Sequence, residues 1–160
     1  MNKNIIRYNT NMQKYKSDLA NFINDIETNN ITVNEIIVGK IDEKVIEFLK
    51  TKNIFLETSD IYFSVKAFHH IQRDFKKKLG KTISKDMVNE IYKSLNNPYK
   101  ILFDNQKEKL NLIYIDKDKN ILFKIVIQPN YKSKLGLINY ILTAGIIQEA
   151  DIKLNYYDYI

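Results

Sequence analysis

The stretch "LNLIYIDKDKNILFKIVIQ", residues 110–128, decides the fold. Two apolar runs rich in Ile, Leu, Phe and Tyr flank the polar segment KDKN, which has the composition of a turn. Runs of this length are typical of strands, and so short a connection forces the second strand back alongside the first. The stretch therefore predicts an antiparallel β-hairpin.

Two further β-rich runs lie on either side of this hairpin, "YKILFD" at 99–104 and "LINYILTAG" at 137–145. They are separated from the hairpin by the polar segment NQKEK and by the longer segment QPNYKSKLG. Close spacing of successive strands favours antiparallel neighbours. We therefore expect a four-stranded antiparallel β-meander from about residue 99 to residue 145.

The chain before the meander is mostly helical by the spacing of its apolar residues, and Asp42 can begin one of the helices. Gly80 and an Asn-Pro pair supply stop signals, and Ser84 can cap the last helix. Helices are expected at 3–27, 42–52, 65–79 and 84–95, a strand at 31–41, and a short strand or an extended lead-in to the next helix at 60–64. Helices followed by a meander predict an α+β fold, with the helices packed on one face of the sheet.

Length and composition place the chain in a broad class. A chain of 160 residues, 44% of them hydrophobic, fits a single domain with a substantial core. The absence of cysteine excludes disulfides and thiolate chemistry. No apolar run is long enough for a signal peptide or for the roughly 18 residues of a membrane span. We therefore expect a soluble, cytoplasmic protein without a membrane partner.

The net charge of +6 is concentrated in one segment. Residues 64–81 hold six cations and a single anion, Asp74. A focused basic patch favours a polyanionic partner such as nucleic acid. Charge alone leaves the alternative equally open, namely a Lys-rich helix face in contact with solvent.

Both histidines lie in the basic segment "KAFHHIQRDFKKK", residues 66–78. On a helical wheel, Lys66, Arg73, Lys77 and His70 share the side opposite the core, and His69 lies on the flank between the two faces. The core side holds Phe68, Ile71, Phe75 and Leu79. This arrangement predicts that His69 is more buried than His70, and that the face from Lys66 to Lys77 opens onto a concave site.

The two histidines therefore have different expected roles. Neighbouring cations favour the neutral form of His70, which can then accept a proton, so His70 is the candidate general acid or base. His69 is expected to be mainly structural at the edge of the core. It is counted with Lys66 and Lys77 among the candidate substrate-binding residues.

Several chemistries lack their usual residues. The four glycines are isolated, so no Gly-rich phosphate loop is present. The adjacent histidines point to different helix faces, and no His-Glu-x-x-His spacing occurs, which argues against zinc. Acidic residues are scattered, and no Gly-x-Ser-x-Gly turn appears. We expect no cofactor and no metal. RNA cleavage through the 2′-hydroxyl fits, because it requires only an acid–base group and cations.

Taken in chain order, five motifs resemble the phage-associated nuclease domains of the barnase–EndoU–colicin–RelE-like superfamily. The motifs are "IIVGKIDEKVIEFL", "IYFSVKAFHHIQRDF", "IYKSLNNPYKILFD", "LNLIYID…ILFKIVIQ" and "INYILTAG". The strongest elements are the S-x-K-x-x-x-H-I start of the central helix, the Asn-Pro before the sheet and the Thr near the last strand. The resemblance covers about residues 31–150 and leaves residues 1–30 as an N-terminal helical extension.

The resemblance implies a metal-independent RNase with the same plan of helices followed by a four-stranded antiparallel sheet. Such domains are toxins or effectors of phages and mobile elements, with RNA, tRNA among the candidates, as substrate and a cognate antitoxin or immunity protein as partner. The family's helix histidine falls on His70 and its terminal hydroxyl residue on Thr143. Lys124 is the candidate sheet-borne cation. Asp74 stands where a second basic residue or histidine would be expected.

Two hypotheses follow. In an RNase, His70 transfers the proton, Arg73 with Lys77 neutralises the phosphate, Lys124 stabilises charge in the transition state, and Thr143 positions phosphate or a 2′-hydroxyl. Tyr114 or Tyr140 could stack on a base in this scheme. The alternative is a non-catalytic phage accessory module that retains the fold and binds nucleic acid or a protein through the basic face.

Overall fold

The computed structural model describes residues 2–79, 85–106, 109–118, 121–153 and 157–160. The helices are α1 (Asn2–Glu27), α2 (Glu43–Thr51), α3 (Val65–Leu79) and α4 (Lys85–Asn96), with a short 3-10 helix at Glu149–Lys153. The strands are β1 (Glu35–Lys40), β2 (Asp60–Ser64), β3 (Lys100–Asp104), β4 (Leu112–Asp118), β5 (Ile121–Ser133), β6 (Gly136–Ile147) and β7 (Tyr157–Tyr159). The elements predicted before residue 99 are all present, but the strand expected at 31–41 is shorter and begins only at Glu35. The predicted stop at Gly80 and cap at Ser84 lie outside the described residues.

The strands form one seven-stranded mixed sheet in the order β1-β2-β6-β5-β4-β3-β7. The four predicted strands, β3 to β6, do pair antiparallel in sequence. The expected four-stranded meander is nevertheless wrong, because β7 joins one edge and the antiparallel pair of β1 and β2, which α2 connects, joins the other. That second junction is a parallel pairing of β2 with β6, in which Ile61 lies opposite Asn139. A pairing over so long a stretch of chain leaves no local pattern in the sequence. The α+β class is confirmed.

The helices pack on one face of this sheet, as predicted. Buried side chains of all four α-helices join the inward residues of the strands in the main core. From α3 these are Phe68, Ile71 and Phe75, so the predicted core side of this helix is confirmed for the residues whose side chains are described. From α1 the core takes Tyr15, Leu19, Phe22, Ile23 and Ile26.

The opposite face of the sheet carries a smaller apolar cluster. Ile113 and Ile115 alternate along β4 with the main-core residues Leu112 and Tyr114, so they point to the other side. Ile152 of the 3-10 helix packs against this second cluster. The sheet therefore has a helical face and a face covered locally by the 3-10 helix.

Asn139 connects the β2–β6 junction to two other segments. It is fully buried on β6, and its Nδ2 donates hydrogen bonds to the backbone oxygens of Thr58 at 2.7 Å and Asp60 at 3.0 Å. Its Oδ1 accepts the backbone N–H of Asn130 at 3.4 Å. One amide side chain thus fixes both the entry to β2 and the irregular part of β5.

The β5–β6 hairpin is longer than its sequence suggested. The segment QPNYKSKLG, expected to be a loop, continues as strand through Ser133, and only Lys134 and Leu135 form the turn. Gly136 closes the turn with a φ of 103°, a conformation that residues with a Cβ rarely adopt. Register shifts around Pro129 and Asn130 accommodate the proline within the strand. The hairpin tip therefore projects beyond the meander.

Tyr114 on β4 is almost fully buried in the main core. Its hydroxyl has no hydrogen-bond partner among the described residues. Burial raises the pKa of Tyr114 above its ordinary value of 10.0, and the Asp42 carboxylate adds to that shift. The native state therefore keeps this phenol neutral at a pH where an unfolded chain would ionise it.

Alkaline pH is expected to destabilise the fold in part through Tyr114. Above about pH 10 the unfolded tyrosine loses its proton while the native one retains it, so the free energy of unfolding falls as pH rises. The fall reaches about 1.4 kcal/mol per pH unit for this group and is absent below that window. Tyr114→Phe should remove this part of the slope in urea unfolding between about pH 9 and 11. An unchanged slope, equal to that of the exposed Tyr99→Phe control, would contradict the prediction.

Candidate nucleic-acid interface

A concave site of about 930 Å³, called the groove from here on, opens where three chain segments meet at one end of the sheet. Its lining side chains come from residues 34–35 leading into β1, from 64–73 at the β2–α3 junction, and from 131–140 at the hairpin tip. Only the extension of β5 beyond the expected strand end brings the third segment into place. The groove is therefore a product of the hairpin's length as well as of the basic helix.

The first turn of α3 forms one wall of the groove. Ser64 accepts the backbone N–H of Ala67 at its Oγ, at 3.0 Å, and so caps the helix. The same hydroxyl lies 2.6 Å from the hydroxyl of Tyr140. The positive end of the helix dipole thus faces the groove, where it favours a bound anion.

Two aromatic rings form the wall facing this helix. Tyr131 and Tyr140 stack with ring centroids 4.4 Å apart and an interplanar angle of 19°. Both are half-buried and line the groove. The bond between Tyr140 and Ser64 fixes this pair against the start of α3. A partly exposed tyrosine face held in this way can stack on a flat group such as a nucleic-acid base.

The charged side chains of the groove are mostly positive. Lys66 and Arg73 come from α3, Lys132 from β5 and Lys134 from the turn, and all four are exposed. Glu35 is the single carboxylate among the lining residues. Cations from α3 and from the tip of the β5–β6 hairpin give this concave surface a positive potential, which attracts a polyanion.

The structure reverses the expected positions of the two histidines. His69 is exposed and lines the groove, whereas His70 is half-buried, so the prediction that His69 is the more buried was wrong. The helical wheel located the core side correctly. It could not show which flank of α3 the hairpin tip approaches, and the tip approaches the flank of His69, Lys66 and Arg73.

His70 and Lys77 lie outside the groove. Nε2 of His70 is 3.6 Å from Oδ2 of Asp74, one turn further along the same helix. Lys77 is exposed on α3 but does not line the groove. The predicted exposed face is therefore divided, with Lys66 and Arg73 at the concave site and with His70 and Lys77 turned away from it.

Lys124 and Thr143 lie on the other face of the sheet. Lys124 pairs with Ile115 and borders the second cluster, and Thr143 pairs with Val126, which packs against that cluster. Cross-strand partners share a face, so the sheet separates Lys124 and Thr143 from α3. The four residues expected to act together are not brought together.

Among the groove residues that escaped the sequence-based prediction are one carboxylate and three residues of the hairpin tip: Glu35, Tyr131, Lys132 and Lys134. The last three lie in the segment that was expected to be a loop. A signal was available in the Gly136 that follows Lys-Leu, because a glycine there permits a two-residue turn and a longer strand. Of the two tyrosines proposed to stack on a base, Tyr140 lies in the groove, and Tyr114 is buried in the core.

Comparisons of this chain with known proteins assign no chemistry to the groove. The chain matches no protein-family model, no curated protein and no solved structure. Within the described ranges, no three His, Asp or Glu side chains are grouped closely enough to hold a metal ion. In the same part of the chain, no helix combines the length and apolar character needed to cross a membrane.

Proposed function

We propose that the protein is a metal-independent endoribonuclease whose groove binds single-stranded RNA. The observation that carries the proposal is the grouping of an imidazole, a carboxylate, four cations and a tyrosine stack around one concave surface. The resemblance to phage-associated nuclease domains favours the same reaction. It also favours a toxin or effector of a phage or mobile element, held in check by a cognate antitoxin or immunity protein.

Cleavage needs only groups that the groove supplies. The Glu35 carboxylate accepts the proton of the 2′-hydroxyl, and the 2′-oxygen forms a bond to the adjacent phosphorus. The bond from phosphorus to the 5′-oxygen breaks, and protonated His69 gives its proton to that oxygen. The products are a 2′,3′-cyclic phosphate and a free 5′-hydroxyl.

The remaining groove residues bind and orient the RNA in this scheme. Lys66 and Arg73, beside the positive end of α3, hold the phosphate and stabilise the charge that develops on it. Lys132 and Lys134 contact the phosphates on the opposite wall. The Tyr131–Tyr140 pair stacks on a base, which tolerates any base because each has a flat aromatic face.

A non-catalytic RNA-binding module is the second candidate. One observation favours it: the chain has two histidines, and His70 lies outside the groove next to Asp74. Proton transfer during cleavage would then depend on His69 and on Glu35, the one carboxylate among the groove residues. The basic groove and the tyrosine stack would serve a binding module equally well.

Incubating the purified protein with total RNA in EDTA separates the two candidates. The RNase should produce discrete fragments whose 5′ ends carry a hydroxyl and whose 3′ ends carry a cyclic phosphate, at the same rate with and without EDTA. The binding module should leave the RNA intact while shifting its mobility. Cleavage that EDTA abolishes, or fragments with 5′-phosphates, would overturn the proposed mechanism.

The salt dependence of RNA binding tests which cations contact phosphate. Lys134→Ala, in the groove, should weaken binding to all single-stranded sequences and reduce the slope of log affinity against log salt by about 0.7. Lys77→Ala removes the same charge from the same protein but outside the groove, and should leave the slope unchanged. Fluorescence anisotropy of a labelled oligonucleotide across a salt series measures both. Equal effects of the two variants would show that binding follows net charge rather than the groove.

A further inference from the structure

A second cavity, of about 370 Å³, lies at the other end of β1 (the tyrosine cavity). It is enclosed by α1, by the residues that join β1 to α2, by the end of α4 and by β3 and β4. Tyr114 and Tyr15 contribute to its wall, and Lys40 and Asp42 are exposed residues that line it. A volume in this range accommodates a small organic molecule.

Two polar groups of the tyrosine cavity lack a hydrogen bond that their position would ordinarily provide among the described residues. The Tyr114 hydroxyl is buried and finds no partner among the described residues, although buried polar atoms are nearly always hydrogen-bonded. Asp42 stands at the N-cap position of α2, yet its carboxylate makes no capping hydrogen bond. Both residues line the same cavity, so one ligand in it can contact both side chains.

The rest of the lining is largely apolar, with Met12, Ile41, Leu95, Pro98 and Ile101 around the two tyrosines. Such a wall suits a flat, weakly polar body. The Tyr114 hydroxyl can donate to an acceptor on that body, and the Asp42 carboxylate can accept only from an N–H or O–H. A neighbouring acceptor and donor on one flat ring edge is the pattern that a nucleobase presents.

We propose that the tyrosine cavity binds a nucleobase, with its ring between the apolar walls and its hydrogen-bonding edge on Tyr114 and Asp42. This site differs from the groove, because Glu35 and Asp42 lie at opposite ends of β1, roughly 20 Å apart along an extended strand. The inference does not depend on cleavage. The base can belong to a free nucleoside or to an RNA bound along the surface, and these sources share the same chemistry.

The proposal is tested by measuring the binding of adenosine, guanosine, cytidine and uridine to the whole chain. Calorimetry or ligand-observed NMR gives the affinity of each nucleoside. At least one nucleoside should bind, and Tyr114→Phe should weaken it by about 3- to 10-fold, the loss of one hydrogen bond. The separate variant Asp42→Asn should weaken nucleoside binding or change which base is preferred, because an amide can donate as well as accept a hydrogen bond. Tyr62→Phe, which removes a hydroxyl from a tyrosine outside the cavity, should have no effect.

The same variants distinguish the two sources and the possible failures. If nucleosides do not bind but Tyr114→Phe weakens binding of a single-stranded RNA, the base comes from bound RNA. Lys134→Ala should leave nucleoside binding unchanged, so failure of the groove and failure of the cavity are distinguishable. Tyr114→Phe keeps the ring and removes only an unpartnered hydroxyl, so its thermal stability should equal or exceed that of the wild type. If the variant is stable and neither nucleoside nor RNA affinity changes, the proposal is overturned and the cavity holds only water.

Discussion

His69→Gln is expected to lower RNA cleavage by about 10²- to 10⁴-fold, whereas His70→Gln should cleave at the wild-type rate. The difference is expected because His69 lines the groove and His70 is next to Asp74 outside it. Glutamine keeps a polar side chain but cannot transfer the proton. Single-turnover cleavage of a fluorescent RNA in EDTA measures the rate, and anisotropy measures the affinity, which should change little.

His70→Gln is the matched control for His69→Gln. Both variants carry the same substitution in the same helix, one residue apart, so a general effect on α3 or on net charge should appear in both. A loss confined to His70→Gln would restore the assignment from the helical wheel and exclude the groove as the cleavage site. Wild-type protein that binds RNA without cleaving it would favour the binding module.

Asn139→Ala is expected to lower the free energy of unfolding by about 2–4 kcal/mol. The substitution leaves the carbonyls of Thr58 and Asp60 and the N–H of Asn130 without the amide that now bonds them at a fully buried position. Each buried group left without a partner costs about 1–3 kcal/mol, and partial access of water reduces the total for the three backbone groups. Urea unfolding monitored by circular dichroism measures the loss.

Asn105→Ala is the matched control, because Asn105 is exposed and its side-chain amide donates a hydrogen bond of 3.1 Å to the Asp158 carboxylate at the surface. That change should cost less than about 0.5 kcal/mol. Because Asn139 also holds the entry to β2 and the irregular part of β5 that leads to the hairpin tip, Asn139→Ala should loosen the groove and weaken RNA binding. Equal stability of the two variants would show that the junction does not depend on this amide.

Much of the secondary structure was predictable because it depends on local periodicity. The apolar stripe of α3 and the apolar runs of β3 to β6 each report their own conformation within a few residues. The short turns also determined that these four strands pair antiparallel in order. The concentration of cations on one helix, and the absence of cysteine chemistry, are likewise properties of the sequence alone.

The candidate site was only half predictable from the sequence. Lys66 and Arg73 were identified because the basic segment is local, and both line the groove. Lys124 was misplaced because strand residues alternate between faces, so a side chain's face depends on which side of the sheet receives the helices. His69 and His70 were interchanged because a helix has two flanks and its own sequence does not show which one a neighbour approaches.

The sequence by itself determined the α+β class, the helices, the core side of α3 and the antiparallel order of β3 to β6, since each depends on contacts between residues close in the chain. Only the tertiary structure decided that β2, carrying β1 on its other side, joins β6 in parallel, that β7 closes the other edge, and that the tip of the β5–β6 hairpin faces His69. Those outcomes depend on pairings between distant segments. Such pairings are selected by the packing of the whole core and by buried groups such as Asn139, which no local pattern records.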